Sequence, residues 1–582
     1  MKILFIAAGR PAEDDPVIRA IDLLGQRHEV VKAYWTFDGD LGSVTPAAAD
    51  APYKVFDLGA SARRGDHHRR IKASLHELLG AAAPGFDAIH LHGADEVLVT
   101  ACQVLREREV PVVLSWPSPD RGADESWVPA WLGSADSTCY AAMSPGQATR
   151  AASLPGIFAE RIHVWNNVQP SPAGSSTLER IYSEAAWACG LALEQRPYTQ
   201  CTRCLLDTLD DARIQFDDSG VCGYCHRYKR LETQRLFLDQ DREQELQKIL
   251  DQVKASKGRS KHDCLLGVSG GVDSTYVAIK LKELGLNPLL VHVDNGWNSE
   301  LSVMNIQSIM DKLQLDLHTY VIDWEEFRDI QLGFLRASVI DIELVTDHAI
   351  VACLYNLAAK LGIKHIISGD NFATEGIMPR GWTHEKSDLL NIRYIAEHFG
   401  HRRLRTYPRL GYWRRQYLVL VKGIKVVPLL NYLHYNKAEA KAEITRVLGW
   451  KDYGTKHGES IFTRFYQHYI LPRKFKADKR KAHLSALICS GQMSRTEALA
   501  ELDKPLYEER ELQTDLAFVT KKLGLTSDEF EAIMSAPVHQ HTDYPSYVTK
   551  HLKREAELRA RWRPVLSFIK RATGFSHRSN YV

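Results

Sequence analysis

The sequence predicts a multidomain α/β protein. Its parts are an N-terminal Rossmann-like domain, a zinc ribbon, a second parallel sheet built on an anion-binding loop, and a mainly helical C-terminal region. Three observations carry this. Strand and helix signals alternate through residues 1–175. Cysteines stand in two C-x2-C pairs, Cys201/Cys204 and Cys222/Cys225. An apolar strand over residues 264–268 runs straight into Ser269-Gly270-Gly271-Val272-Asp273-Ser274 and then into a helix with Val277, Leu281 and Leu284 on one side. At 582 residues the chain is too long for a single core. An apolar fraction of 45% and a charged fraction of 25% are those of a soluble globular protein. A formal net charge of +2 gives no bulk electrostatic reason to expect nucleic acid or membrane as a partner.

The first domain, 1–175, opens with a short strand over residues 2–7, then a helix over 16–24 and a strand over 29–33. Residues 88–92 and 110–114 read as buried parallel strands, and helices between such strands imply a doubly wound sheet. The apolar start is too brief for a signal peptide, and no later run approaches about 18 apolar residues, so a cytoplasmic protein without a membrane span is expected. His90 and His92 alternate on one strand and read as core histidines. The region closes on Asn166-Asn167-Val168 and resembles the N-terminal half of a GT-B glycosyltransferase, without the second half that would hold a nucleotide-sugar.

Residues 196–230 carry C-x2-C-x17-C-x2-C. Each pair offers two thiolates from one knuckle, and two knuckles complete a tetrahedral shell for a structural Zn²⁺ held by Cys201, Cys204, Cys222 and Cys225. His226 adjoins the last cysteine but is surplus to four thiolates. Residues 231–256 read as a charged helical linker, 257–400 as the domain of the anion-binding loop and 401–582 as the helical remainder.

In the loop, a glycine-rich strand-to-helix turn leaves backbone N–H groups unpaired at the positive end of a helix, where an anion binds. Ser269 and Ser274 add hydroxyl donors, Gly270 and Gly271 permit close approach, and Asp273 can help hold Mg²⁺. No lysine follows as a Walker A loop requires, and G-x-G-x-x-G is absent. SGGVDS instead resembles the PP-loop of the N-type ATP pyrophosphatases, of the adenine nucleotide α-hydrolase-like fold. That resemblance implies ATP with its β/γ-phosphates clamped as the leaving group. In such a sheet Asp294, ending the second strand, and Gly369, ending the fourth, fall at the nucleotide crevice. Asp370, Asn371 and Glu375 are candidates for Mg²⁺ or substrate, with Asp347 or His348 on the preceding helix. Further on, a dense polar-aromatic stretch holds His457 and Glu459, and a basic stretch holds Lys474 and Lys479.

Taken in order, CTRC…CGYC, LLGVSGGVDS, VHVDNGWN, TDHAI, ISGDNFATEG, KHGESIFTRFYQ, LPRKF and DKRKAHLSALICSGQMSR resemble the N-acetyl sugar amidotransferases over residues 196–505. These enzymes serve lipopolysaccharide, O-antigen and nonulosonic acid biosynthesis. The resemblance implies an ATP-dependent conversion of an acetamido group on a (nucleotide-)sugar into an acetamidino group, through an O-adenylated imidate that ammonia attacks. ATP would yield AMP and pyrophosphate, with Asp273, Lys474 and Lys479 stabilising charge. No glutaminase nucleophile is evident, and Cys189, Cys353 and Cys489 sit in helical or apolar settings. Ammonia is therefore expected from a separate glutaminase with a barrel subunit resembling imidazole-glycerol-phosphate synthase. Two other readings stand beside this one. A tRNA-thiolating PP-loop enzyme would use the arginine-rich stretch 402–415 for RNA but lacks a second cysteine pair after residue 264. A non-catalytic sugar-binding protein would have no need of Asp273.

Overall fold

The computed structural model describes residues 2–8, 21, 24, 26, 28–36, 53–57, 75, 88–92, 112–115, 138–142, 162–164, 180–185, 187, 193–238, 241–256, 258, 260–454 and 458–548. The chain forms two compact units, Met1–Arg227 and Tyr228–Val582.

In the first unit, seven strands form one parallel sheet: β1 (Lys2–Ala8), β2 (Glu29–Thr36), β3 (Tyr53–Asp57), β4 (Ala88–His92), β5 (Val112–Ser115), β6 (Thr138–Ala142) and β7 (Ile162–Val164). Their order is β3-β2-β1-β4-β5-β6-β7, the doubly wound arrangement expected. β1 is central, so Ile3, Leu4, Phe5 and Ile6 are wholly buried. The two histidines of β4 are core residues, as read: His90 Nδ1 bonds the Tyr182 hydroxyl at 2.7 Å, and Phe5 packs edge-on against His90 and stacked on His92. Burial, then His92, drives the His90 pKa down, so the ring stays neutral. The helix expected over 16–24 lies largely outside the described residues, as does Cys189.

The second unit holds a five-stranded parallel sheet of β8 (Cys264–Gly267), β9 (Pro288–Asp294), β10 (Leu317–Val321), β11 (His365–Ser368) and β12 (Lys425–Pro428), in the order β10-β9-β8-β11-β12. β8, the first strand of this sheet along the chain, lies in the middle, and the order reverses between β8 and β11. A crevice therefore opens at the carboxyl ends of those two strands.

Two boundaries shift. β12 belongs to this sheet, pairing with β11 from His365↔Lys425 to Ser368↔Pro428, so the domain expected to end at residue 400 continues past it. The segment expected as a linker contains the helix Arg242–Ala255, whose Leu250 and Val253 are buried in one core with Leu266 and Leu290. Its charge is confined to the outer face, so composition alone resembled a spacer.

The helix Leu344–Leu361 is long and apolar enough to span a bilayer by length and composition, with a mean hydropathy of 1.2, although Thr346, Asp347, His348, Asn356 and Lys360 interrupt its apolar residues. Its Ala352, Tyr355 and Ala358 pack against Leu265, Leu289 and Ile366, so here it is a core helix under the sheet. After β12 the chain is helical, and the aromatic core around Trp297, Phe462, Phe465 and Tyr466 joins these helices to the end of β9.

Candidate active site

The loop leaves β8 at Gly267 and enters the helix Val272–Glu283 with Gly271 at its N-cap and no side chain capping it. The helices Arg242–Ala255, Glu300–Leu313 and Trp324–Ala337 are capped by Asp241, Ser299 and Asp323. The loop helix thus keeps its first N–H groups for another acceptor. Gly270 has φ +80°, and a Cβ there would lie 2.9 Å from the Ser302 carbonyl oxygen, so only glycine fits.

Neighbouring elements hold the loop rigid. Its Gly270 carbonyl accepts from Trp450 Nε1 at 2.8 Å and the Tyr453 hydroxyl at 2.9 Å, while the Ser302 hydroxyl donates to the Ser269 carbonyl at 3.1 Å. Ser269 Oγ accepts from the Gly271 N–H at 3.3 Å, and the Ser274 hydroxyl donates to the Gly271 carbonyl at 3.4 Å. A Cβ on Gly369 would stand 3.0 Å from the Ser274 nitrogen, so the end of β11 presses directly on the loop helix. Glu459 also arrives here: its carboxylate would lie 3.4 Å from a Cβ on Gly271.

Four carboxylates face one another across the crevice. The Tyr435 hydroxyl donates to Asp273 in a short hydrogen bond, holding it oriented. Asp370 is exposed to solvent yet closely ringed by protein. That enclosure, then Glu375 and more weakly Asp347 and Asp273, pushes its carboxyl up to about 6. Lys386 lies between Asp341 at 2.7 Å and Asp347 at 2.9 Å, which keep it protonated against its own burial. One oxygen of Asp341, itself fully buried, has no hydrogen-bond partner among the described residues.

The remaining residues expected at the site take different places. Asp294 accepts from the Gly296 N–H at 2.8 Å and Asn298 Nδ2 at 3.0 Å, so it shapes the turn after β9. Asn371 is corrected as a metal ligand: its amide oxygen caps the helix Phe372–Glu375 through the Thr374 N–H at 2.8 Å. Its buried Nδ2 has no partner among the described residues, which suits an incoming acceptor. His348 is a core residue, accepting from the Leu410 N–H at 3.2 Å and donating to the Lys386 carbonyl at 2.9 Å. Lys474 is corrected too. Its ammonium donates to the Ala536 carbonyl at 2.9 Å and to that of Ile533, closing the C-terminus of the helix Ser527–Ser535. Lys479 is buried and paired with Glu343 at 2.8 Å, beside Asp341. It braces the carboxylate network at some remove from the loop. His457 lies outside the described residues. Sequence reasoning missed Tyr435, Trp450, Lys386 and Ser302. Only Tyr453 carried a signal, as the start of the polar-aromatic stretch.

In the first unit the four cysteine sulfurs lie within 4.8 Å of one another, all buried. The separations Cys204–Cys222, Cys222–Cys225 and Cys201–Cys225 are 3.6, 3.8 and 3.9 Å. A tetrahedron of sulfurs around zinc has edges of about 3.8 Å for a Zn–S bond of about 2.3 Å, so the set fits a structural Zn²⁺. Backbone N–H groups of Arg203, Cys204 and Cys222 point at Cys201 Sγ at 3.4, 3.4 and 3.2 Å, which favours the thiolate. His226 bonds Asp217 at 2.8 Å instead, consistent with its exclusion.

Loop, strand order and crevice in the second unit resemble those of a PP-loop domain, in a chain that also carries a Rossmann-like sheet and a cysteine cluster suited to a zinc ribbon. Residues 459–558 match the family model for the LPS biosynthesis protein WbpG-like C-terminal domain. No curated protein matches the chain. Among solved structures it is similar to an NMN synthetase from Francisella tularensis, at 14% identity over 49% of this chain and 97% of that one, with a TM-score of 0.25. It is similar to an NH3-dependent NAD synthetase from Campylobacter jejuni, at 14% identity over 51% of this chain and 99% of that one, TM-score 0.23. It is also similar to a UDP-GlcNAc 2-epimerase from Methanocaldococcus jannaschii, at 12% identity over 72% of this chain and 99% of that one, TM-score 0.23.

Proposed function

We propose that the protein is an ATP-dependent amidotransferase of lipopolysaccharide biosynthesis that converts the acetamido group of an N-acetylated (nucleotide-)sugar into an acetamidino group. One observation carries the reading: Glu459, in the segment that matches the lipopolysaccharide family, lies against Gly271 of the pyrophosphate loop. Amide resonance makes the acetamido carbon a poor electrophile. In the reaction the amide oxygen attacks the α-phosphorus of ATP and the bond to pyrophosphate breaks. Ammonia then adds to the imidate carbon, and AMP leaves with the former amide oxygen.

The loop N–H groups of residues 272–274 and the hydroxyls of Ser269 and Ser274 bind the departing pyrophosphate, and Asp273, oriented by Tyr435, lies at its edge. The hard oxygen donors Asp273, Asp370 and Glu375 fit Mg²⁺, which when bound neutralises phosphate charge. The carboxylate-rich floor also suits the product, because a neutral amide becomes a cationic amidinium there. Asp347 and Asp370 lower the energy of that developing charge. Burial pushes the Cys353 thiol up to about 12, which makes it a poor sulfur carrier and disfavours tRNA thiolation. Ammonia comes, in this reading, from a separate glutaminase with its barrel subunit.

The test is incubation of purified protein with ATP, Mg²⁺, ammonium and acetamido nucleotide-sugars. AMP, pyrophosphate and an amidine-bearing sugar are expected. ADP and phosphate, or an unchanged sugar, would reject the proposal.

A further inference from the structure

A second charged depression lies apart from the loop in the same unit. It has a volume of about 460 Å³ and is lined by Arg393, Arg402, Arg403 and Arg409, with Glu397, Ala396 and Leu404. Four arginines line it against one glutamate, and Glu325 pairs with Arg402 from beside it, which leaves a formal surplus of two positive charges. Such a surplus is unfavourable unless an anion offsets it.

Arg393 stands on the helix Leu389–Phe399, and the loop that presents Arg402, Arg403 and Arg409 is built for its shape. Two buried carboxylates of the helix Trp324–Ala337 pin its backbone. Asp329 accepts from the N–H groups of His401 at 2.8 Å and Arg402 at 2.7 Å. Glu326 accepts from the Thr406 N–H at 2.8 Å, the Thr406 hydroxyl at 2.6 Å, the Tyr407 N–H at 2.6 Å and the Arg405 N–H. Burial opposes ionisation of Glu326, yet these donors hold its pKa below the ordinary value. These carboxylates are thus aimed at main-chain N–H groups and not at the guanidinium groups.

The guanidinium groups are left available. Arg393 and Arg403 make no hydrogen bond or ion pair to any described residue. Arg402 touches the exposed Glu325 at 3.2 Å, and Arg409 donates to the Leu404 and Arg405 carbonyls at 3.2 and 3.3 Å. The two unpaired, forked donors of Arg393 and Arg403, beside a pinned backbone, form the kind of arrangement that recognises phosphate oxygens.

We propose that this depression binds a small molecule through its diphosphate group. The two unpaired guanidinium forks, Arg393 and Arg403, match one phosphate each, and the volume leaves room for a nucleoside or sugar over Ala396 and Leu404. Glu397, at the rim, is placed to accept from a hydroxyl. Two sources carry this chemistry: a nucleoside-diphosphate sugar, and free pyrophosphate. The site is independent of whether the loop performs amidation.

The experiment is calorimetric binding of UDP-N-acetylglucosamine, UDP, UMP and inorganic pyrophosphate to the full-length protein and to its R393A/R403A variant, with the loop saturated by a non-hydrolysable ATP analogue. Both side chains are exposed, and an unchanged melting temperature checks the fold. The proposal predicts tighter binding of UDP than of UMP, and a roughly hundredfold loss for the diphosphates in the variant. Binding of the nucleotides alone identifies the sugar carrier as the source, and binding of pyrophosphate alone identifies the inorganic anion. Equal affinity of wild type and variant overturns the proposal. So does arginine-dependent binding of a single-stranded RNA without binding of the small diphosphates. Loss of amidation with retained arginine-dependent binding would sink the proposed reaction and leave this site standing.

Discussion

The cysteine cluster and the carboxylate crevice are both gatherings of like ligands, built in opposite ways. The four cysteines come from one stretch, residues 201–225, and are buried. The crevice carboxylates come from the loop helix, the helix Leu344–Leu361 and the end of β11, and Asp347 and Asp370 stay reachable by solvent. A closed local shell has no room for substrate, so its binding energy goes into folding. An open shell of mutually repelling carboxylates is unfavourable until a cation arrives, which suits a site of chemistry.

That contrast can be broken in order of effect. Cys204→Ser should cost most. A full zinc site in a small module contributes on the order of 10 kcal/mol. Metal analysis should fall from about one zinc per chain to none, with the first unit losing protease resistance. A stable, zinc-free variant would put both clusters in one class. Asp273→Ala should do the reverse, lowering AMP formation by about a hundredfold or more while the melting temperature barely moves.

The two lysines sharpen the comparison further. Removing Lys479 takes its cation from the part-buried Glu343, which Gln467 Nε2 still reaches at 3.1 Å, and breaking a buried pair costs about 3–5 kcal/mol, so Lys479→Ala should lower the urea midpoint. Lys474→Ala removes only a helix C-terminal contact and should cost about 1 kcal/mol with turnover intact. Equal effects on turnover would return Lys474 to the reaction.

The smallest effect is a pH dependence. The folded-state pKa of Asp370, about 6, lies above its ordinary value, so the native state holds this proton more tightly than the unfolded chain. Its contribution to stability is fully present below about pH 4 and is lost as pH rises towards 6. Without Mg²⁺, the wild type should lose more melting temperature between pH 4.5 and 7 than Asp370→Asn. Parallel curves would show that the carboxylates do not crowd one another.

What was legible in the sequence follows the same division. The cysteine cluster and the loop were readable because their geometry is encoded within a few residues, through C-x2-C spacing and glycine at a positive φ. The helix over 242–255 read as a spacer because its outer charge is local, while its burial depends on Leu266 and Leu290. Lys474 and Lys479 stand five residues apart in one basic run, yet one closes a helix and the other neutralises Glu343 from more than a hundred residues away. Composition cannot separate them. Tyr435 and Trp450 were invisible for the same reason: each touches the loop across more than 160 residues of chain.

The central claim is that an amide oxygen leaves on AMP. The direct measurement places heavy oxygen in the acetamido carbonyl of the sugar and follows it by mass spectrometry through one turnover with ATP and ammonium. The account predicts that the label appears in the phosphate of AMP and vanishes from the sugar. Label retained on the sugar, or AMP formed without it, would contradict the account.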